Sequence, residues 1–304
     1  MAKTFAQMAE QAKTPMTRGA IEQIHKESDL FKRLPWIPID GVAYAYDPAA
    51  ALPGTHFRGV NEHYLESTSG VVNPQVEVLK AFGGRGALDN YTVAANQTAG
   101  LGDLLAEEVT AKTTSLHTLF ADALFNGDST VNTKSFDGLR KRLTGEQVVD
   151  ATAPLTDIAA LEDLDALFAA VGGSPDVVYA GANVLGRYKA LARRLGGADF
   201  IKSEITGKVE FTWNGVEIID PGKLWTGRKI LGPAPDGTEE LFAVRFAQTK
   251  NDEGIAGITN VGVVTDKPAK LPGTSDWHFL VEMYGSIIVQ GGQAAARLRG
   301  ITRS

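Results

Sequence analysis

The chain has 304 residues, 30 Lys and Arg against 36 Asp and Glu, a formal net charge of −6 and 43% hydrophobic residues. That length suggests about two domains at roughly 100–200 residues each and is ample for a stable core. The absence of cysteine excludes disulfides, thiolate metal sites, iron–sulfur clusters and a cysteine nucleophile. The acidic balance argues against a whole-protein grip on nucleic acid and leaves room only for local basic patches. Met1 is followed by no apolar stretch of the kind a secretory signal needs, and no segment approaches ~20 apolar residues, so neither secretion by that route nor a membrane span is expected. The unusual count is glycine, at 33 residues.

Residues 1–35 are polar, with helical patterning around Ile21, Ile24 and Leu30, and end at Leu34-Pro35-Trp36-Ile37-Pro38, where two prolines force extended chain. Strand-like runs follow at 42–46 and 74–82, the second alternating Val76, Val78 and Lys80 with Glu77 and Leu79. Pro48, Pro53, Gly54, Gly59, Gly70 and Pro74 lie around and between them, which predicts a long two-stranded excursion with too few apolar residues for a core of its own. Such a hairpin is marginal in water and needs something to lie on. Gly83-Gly84-Arg85-Gly86 reads as a flexible loop tip.

Leu101, Leu105, Val109, Leu116, Leu119, Phe120, Ala123 and Leu124 recur at helical spacing, predicting one long helix with Asp103, Glu107 and Glu108 in its early turns and a stop at Asn126-Gly127-Asp128. Beyond it, Thr156 is placed to cap a helix running through Ile158, Leu161, Leu164, Leu167, Phe168 and Val171 to Gly172-Gly173. A short buried strand (176–180) and a helix through Leu185, Tyr188, Leu191 and Leu195, stopped by Gly196-Gly197, come next. Asn214-Gly215 between two alternating runs calls for a tight hairpin, because both turn residues must accept positive φ. Strands are predicted at 240–247, 260–266, 278–290 and 295–301. The class is α+β.

Motifs for chemistry are absent. Gly222-Lys223-Leu224 lacks the spacing and hydroxyl of a phosphate loop, and Gly83 to Gly86 lead into no helix, so a dinucleotide fingerprint fails. His56 and His63 lie beside Glu62 and Glu66, but their odd spacing puts them on opposite faces of a strand. Asn251-Asp252-Glu253-Gly254 reads as a solvated turn and His117 as a packed or surface residue. Trp36, Trp213, Trp225 and Trp277 sit at element ends, where core edges and interface anchors are found. The densest basic runs are Arg140-Lys141-Arg142, Arg193-Arg194 and Arg297 with Arg299. Without interleaved aromatics they read as solvated or salt-bridged faces, with weak contact to a packaged polymer as the alternative.

An arm, a long hairpin excursion, one strut helix and then an α+β unit make little sense alone, since exposed edges and unburied apolar residues need neighbours. This order, together with Leu124-Phe125-Asn126-Gly127-Asp128 and Ser135-Phe136-Asp137-Gly138-Leu139 after the long helix, resembles the tailed-phage major capsid proteins of the Hong Kong 97-like fold, shared with encapsulins. The resemblance implies an N-terminal arm at 1–40, an extended loop (E-loop) at 41–92, a peripheral domain with its spine helix at 93–149, an axial domain at 150–276, and C-terminal strands at 277–304 returning to the peripheral and axial domains. Lys80 is the one lysine of the excursion and no Asn follows Asn260, so the crosslinking residues of some relatives are not carried over.

The resemblance further implies a structural subunit, not an enzyme, with no cofactor and no metal, located in the virion and assembled in the host bacterial cytoplasm. Its implied partners are further copies of itself in hexamers and pentamers, a separate scaffolding protein, a portal, a decoration protein and weakly contacted packaged DNA, with no membrane. Leu79 and the candidate inter-subunit residues Trp36, Phe57, Arg58, Tyr64, Lys80, Phe82 and Arg85 are expected to find their partners on neighbours. Surplus glycines at 41, 54, 59, 70, 83, 84, 86, 285, 291 and 292 then read as hinges. An encapsulin-type compartment, and a small-molecule enzyme using the α+β unit with His56 and His63 in a lid, are the alternatives.

Overall fold

The computed structural model describes residues 4, 7, 15–46, 55–64, 74–98, 103–194, 199–202, 209–234, 236–249, 252–270 and 273–302. Gly54, Gly70, Leu101, Leu195, Gly196-Gly197 and Asn251 from the sequence reading lie outside them.

Within the expected arm, residues 15–34 are not extended. Helices α1 (Pro15–Glu27) and α2 (Asp29–Arg33) bury Ile21, Ile24, Leu30 and Phe31 in the main core, because apolar residues recur at helical spacing and Ser28 caps α2 through the Phe31 amide. The chain then straightens into β1 (Trp36–Pro38). A ribbon of β2 (Ala43–Tyr46) and β3 (Gln75–Val78) follows, and β4 (Lys80–Asp89) continues directly from it.

Residues 83–86 are therefore the middle of a ten-residue strand and not a loop tip. The glycines are there for close approach. A Cβ on Gly86 would lie 2.1 Å from the Phe279 ring and one on Gly83 would lie 2.2 Å from the Val281 carbonyl oxygen. Strand β4 pairs along its length with β13 (Asp276–Gln290), which pairs on its other side with β11 (Gly254–Thr265) and β12 (Ala269–Lys270), while β1 joins β11 in parallel. Residues 254–270, expected in the axial unit, thus belong to this first sheet.

Helix α3 (Asn90–Thr98) precedes the long helix α4 (Leu104–Asn126), whose N-terminus is capped by Asp103 accepting from the Leu105 and Ala106 amides. Helix α4 covers one face of the first sheet: Phe120 packs against Phe31, Trp36, Phe82 and Phe136 with ring centroids 4.9–5.6 Å apart. On the sheet's other face, Ile37, Ala256, Ile258 and Ile288 pack with Tyr44, Tyr46 and Leu79 of the ribbon's root. Leu79 and Phe82 consequently have partners in their own chain, contrary to expectation.

The second sheet comprises β5 (Val148–Asp150), β6 (Val177–Ala180), β7 (Asp199–Lys202), β8 (Val209–Trp213), β9 (Val216–Ile219), β10 (Glu239–Val244) and β14 (Ala295–Ile301), in the order β5-β14-β10-β6-β9-β8-β7. Asn214 and Gly215 adopt φ values of 47° and 81° and close the β8–β9 hairpin as the sequence predicts. Alternation divides the buried residues: Val178, Ala180, Leu241 and Ala243 meet helices α6 (Ala159–Ala170) and α7 (Ala182–Arg194), whereas Val177, Tyr179, Phe242 and Val244 join the core that contains α4. Helix α6 starts three residues after Thr156, with Asp157 accepting from the Ala159 amide, so Thr156 is not its cap.

The exit of α4 is a closed clasp followed by the short helix α5 (Leu139–Arg142). The Gly138 amide donates to the Gly127 carbonyl at 2.8 Å, bringing the two ends of the Phe-Asn-Gly-Asp and Phe-Asp-Gly-Leu segments into backbone contact. A Cβ at Gly138 would fall 2.5 Å from the Ala123 carbonyl oxygen and 2.7 Å from the Gly127 nitrogen, so both glycines are required by packing. Lys141 Nζ donates to Asp128 at 2.7 Å and to Asp137 at 2.9 Å, and the Ser129 amide donates to Asp137.

The Lys141 bond, with the Thr130 donors, holds the Asp128 carboxyl far below the usual range. At Asp137 burial pushes upward but is outweighed by Ser129 and Lys141, so its carboxyl is also lowered. Bonds to Asp128 and then Asp137 raise the Lys141 ammonium.

Gly138→Ala is expected to destabilise the folded chain by about 1–3 kcal/mol in urea denaturation, through overpacking against backbone. Gly19→Ala, at an α1 position with nothing within 4 Å of the new Cβ, should instead be neutral or stabilising by up to about 1 kcal/mol. The clasp's ionic contribution is fully present above about pH 3.9 and is lost as pH falls through the depressed folded values of Asp128 and Asp137. On the alkaline side it is present below about pH 10.4 and is lost as pH rises through the elevated Lys141 value. In Lys141→Met, NMR titration should show the Asp128 carboxyl moving up toward about 3.9; an unchanged midpoint would refute the clasp's electrostatics.

Candidate assembly surface

The β2–β3 ribbon is inside out. Cross-strand pairing of Ala43 with Val78 and Ala45 with Val76 places four apolar residues on one face, and all four are exposed, Val76 at 61% and Val78 at 47%. The opposite face carries Tyr44, Tyr46 and Glu77 and is turned inward. A period of two is legible in the sequence, but hydrophobicity alone would assign the valines to the core.

Polar bonds hold the inward face. Arg142 makes an ion pair with Glu77 at 2.8 Å and donates to the Tyr46 hydroxyl at 3.1 Å, while the Ser286 hydroxyl donates to Glu77 at 2.7 Å. The Arg142 and Glu77 side chains retain only 13% and 16% exposure, so a low local dielectric strengthens their attraction. Burial, the largest influence on Tyr46, raises its phenol, with Arg142 opposing. Arg142 thus ties the ribbon's root to the clasp after α4.

Farther along the excursion, residues 55–64 are all exposed. Glu62 accepts from the Gly59 amide at 2.8 Å, Asn61 sits at φ 68°, and the Arg58 guanidinium lies 5.1 Å above the Tyr64 ring. These local bonds shape the segment, yet Phe57 is fully exposed, Val60 is 92% exposed and Tyr64 is 65% exposed.

Of the sequence-predicted contact residues, Phe57, Arg58, Tyr64 and Arg85 are exposed. Lys80 donates to the Thr133 carbonyl at 3.1 Å, and Phe82 stacks on Phe120. Trp36 is wholly buried, stacked on Phe31 and lying where a Gly257 Cβ would be 2.6 Å from its ring, so it has no surface to offer a neighbour. Sequence reasoning missed Val42, Val76, Val78 and Tyr91, which are exposed at 68%, 61%, 47% and 81%. Only the pairing that turns Glu77 inward reveals the valines.

The rival sites do not assemble. His56 and His63 are exposed, and among the described residues no group of three or more His, Asp or Glu could hold a metal ion. His117 is buried 3.4 Å from Glu27, its pKa lowered by burial against the pull of that carboxylate. Among the described residues no helix is long and apolar enough to cross a membrane.

Arg142→Met should cost about 1.5–3 kcal/mol, the usual worth of a charge-assisted hydrogen bond, and should speed hydrogen exchange at the amides of 43–46 and 75–78 more than at β13. Equal protection in the variant and the parent would show that the ribbon is held by its apolar contacts alone.

No family model matches the chain, and no curated protein matches it in sequence. Solved structures do match in fold. The holo-SrpI encapsulin complex from Synechococcus elongatus superposes with a TM-score of 0.63 at 16% identity, covering 97% of this chain and 90% of that one. The capsid of an empty GTA particle gives 0.62 at 10% identity over 90% of each chain. A structure from Microbacterium phage Oxtober96 gives 0.61 at 13% identity, over 89% of this chain and 90% of that one. With its long helix against a sheet, protruding ribbon and second helix-flanked sheet, this chain has the Hong Kong 97-like shell fold of phage capsids and encapsulins.

Proposed function

We propose that the chain is the major subunit of an icosahedral shell that encloses the double-stranded DNA of a tailed phage. The observation that carries the reading is the inverted ribbon: its polar face is turned inward and tied down by Arg142, and its apolar face is left to water. A contiguous apolar face in a soluble chain marks a contact surface. Further copies of the subunit supply the cover. Repeated contacts closed by symmetry make a stable particle from individually modest interfaces, so mismatched subunits can leave before closure.

In this reading Phe57 and Tyr64 are anchors on a neighbour, Arg58 and Arg85 lie at the rim, and Lys80 and Phe82 brace the ribbon from within. The role is structural and not catalytic. A separate scaffolding protein, a portal and a decoration protein complete the proposed partners, with assembly in the host cytoplasm.

The similarity to the encapsulin supports a second reading, a protein-filled compartment of the same fold. Nucleic acid in particles purified from phage-producing cells supports the capsid, and cargo protein in its place supports the compartment.

The experiment replaces residues 48–74 by one glycine. Because Tyr46 pairs with Gln75, the resulting Asp47-Gly turn closes the ribbon as a two-residue hairpin. The variant should remain folded and soluble by circular dichroism but form no closed shells in electron micrographs. Shells indistinguishable from those of the parent chain would overturn the excursion's role in assembly.

A further inference from the structure

Charge bookkeeping separates one basic run from the others. Arg140 and Arg297 both pair with Glu240, Lys141 with Asp128 and Asp137, Arg142 with Glu77, and Arg299 with Asp150. These cations are neutralised within the fold. On α7, by contrast, Lys189, Arg193 and Arg194 form no ion pair with any carboxylate among the described residues, and the helix contains no acidic residue.

Helical geometry places these cations on one side. Val184, Leu185, Tyr188, Leu191 and Ala192 are buried against α6 and the second sheet, with the Tyr188 hydroxyl donating to the Ala160 carbonyl. The opposite arc carries Arg187, Lys189, Arg193 and Arg194, separated by the small exposed residues Gly186 and Ala190. Stabilisation of a helix C-terminus explains cations at Arg193 and Arg194, in the last turn, but not the one at Lys189, a turn earlier.

We infer that the outward face of α7 is a contact surface for the phosphate backbone of duplex nucleic acid, so that this face of the second sheet looks toward the shell's interior. The inference rests on the proposed capsid function and specifies which surface meets the contents.

Three features select duplex phosphate over other polyanions. From Lys189 to Arg194 the cations run for about 7.5 Å along the helix, a length over which a DNA duplex presents about four charges at one per ~1.7 Å. The exposed arc bears no aromatic side chain to stack on unpaired bases. Arginine and lysine tips beside Gly186 and Ala190 can reach phosphate, but short side chains offer nothing to base edges, so binding is independent of sequence. The subunit's net charge of −6 opposes the polyanion elsewhere and confines the contact to this face.

The test measures binding of the intact subunit to a fluorescent 30-base-pair duplex of arbitrary sequence by anisotropy, between about 25 and 200 mM salt. Lys189→Ala, Arg193→Ala and Arg194→Ala combined should weaken binding by about tenfold or more at low salt and reduce the slope of log K against log salt by about 2–3, near 0.9 per lost phosphate contact. Lys134→Ala with Lys267→Ala, both exposed and remote in sequence from α7, should change neither.

An unchanged slope in the triple variant overturns the inference, as does polyglutamate binding as tightly as duplex at equal charge concentration. Far-UV circular dichroism and thermal melting check that the triple variant folds, and Arg193→Lys with Arg194→Lys should retain the slope. Shell formation is scored separately by electron microscopy of particles from phage-producing cells: absence of the parent chain from the shells refutes the capsid reading, whereas a triple variant that forms parent-like shells and whose free subunit keeps the parent's salt slope for duplex refutes this inference alone.

Discussion

Two phenylalanines on one helix hold the molecule together. Phe120 stands in a ring of aromatics drawn from α2, β1, β4 and the clasp, and Phe125, further along α4, packs its ring against Tyr179 and Phe242 of the second sheet at centroid distances of 5.3 and 5.4 Å. One hydrophobic core therefore runs through both sheets, with α4 as its shared wall. The clasp after Asn126 has to be tight for this reason. It turns the chain back at the point where the two sheets converge, and Arg142 at its end carries that position outward to the ribbon.

The ribbon shows how a fold can commit a strand pair to a use that the isolated chain does not reveal. Water normally takes the polar face of a two-stranded ribbon and protein takes the apolar one. Here the assignment is reversed, and it is stable because Glu77 and Tyr46 are satisfied by Arg142 and Ser286. Burying the carboxylate without these partners would be costly. The same polar bonds that hold the root thus leave Ala43, Ala45, Val76 and Val78 available on the outside.

Much of the architecture was legible in the sequence. The 3.6-residue period located α4 to within a few residues, Asn214-Gly215 fixed a hairpin by its φ requirement, and the paired glycine motifs marked the clasp. Readings failed where composition was ambiguous. Gly83 to Gly86 have a loop's composition, yet Phe279 fills the space that a side chain on Gly86 would take, so the strand persists. Of the glycines expected to act as hinges, Gly83 and Gly86 serve contact distance instead, as do Gly127, Gly138 and Gly257 elsewhere in the chain. The exposure of the β3 valines was not legible, because period fixes which residues share a face and not which face meets water.

Strand order has a consequence for the timing of synthesis. Strand β14, residues 295–301, lies between β5 and β10, and β13, residues 276–290, lies between β11 and β4, so the interiors of both sheets are completed by late segments. A nascent chain ending near residue 270 would have α4 and much of the ribbon but no strand to seat β4, and its second sheet would lack the link between β5 and β10. Neither sheet can close until nearly all of these 301 residues have left the ribosome. The apolar ribbon face is therefore set in its final orientation only on a finished chain, and an unfinished one presents no fixed version of it.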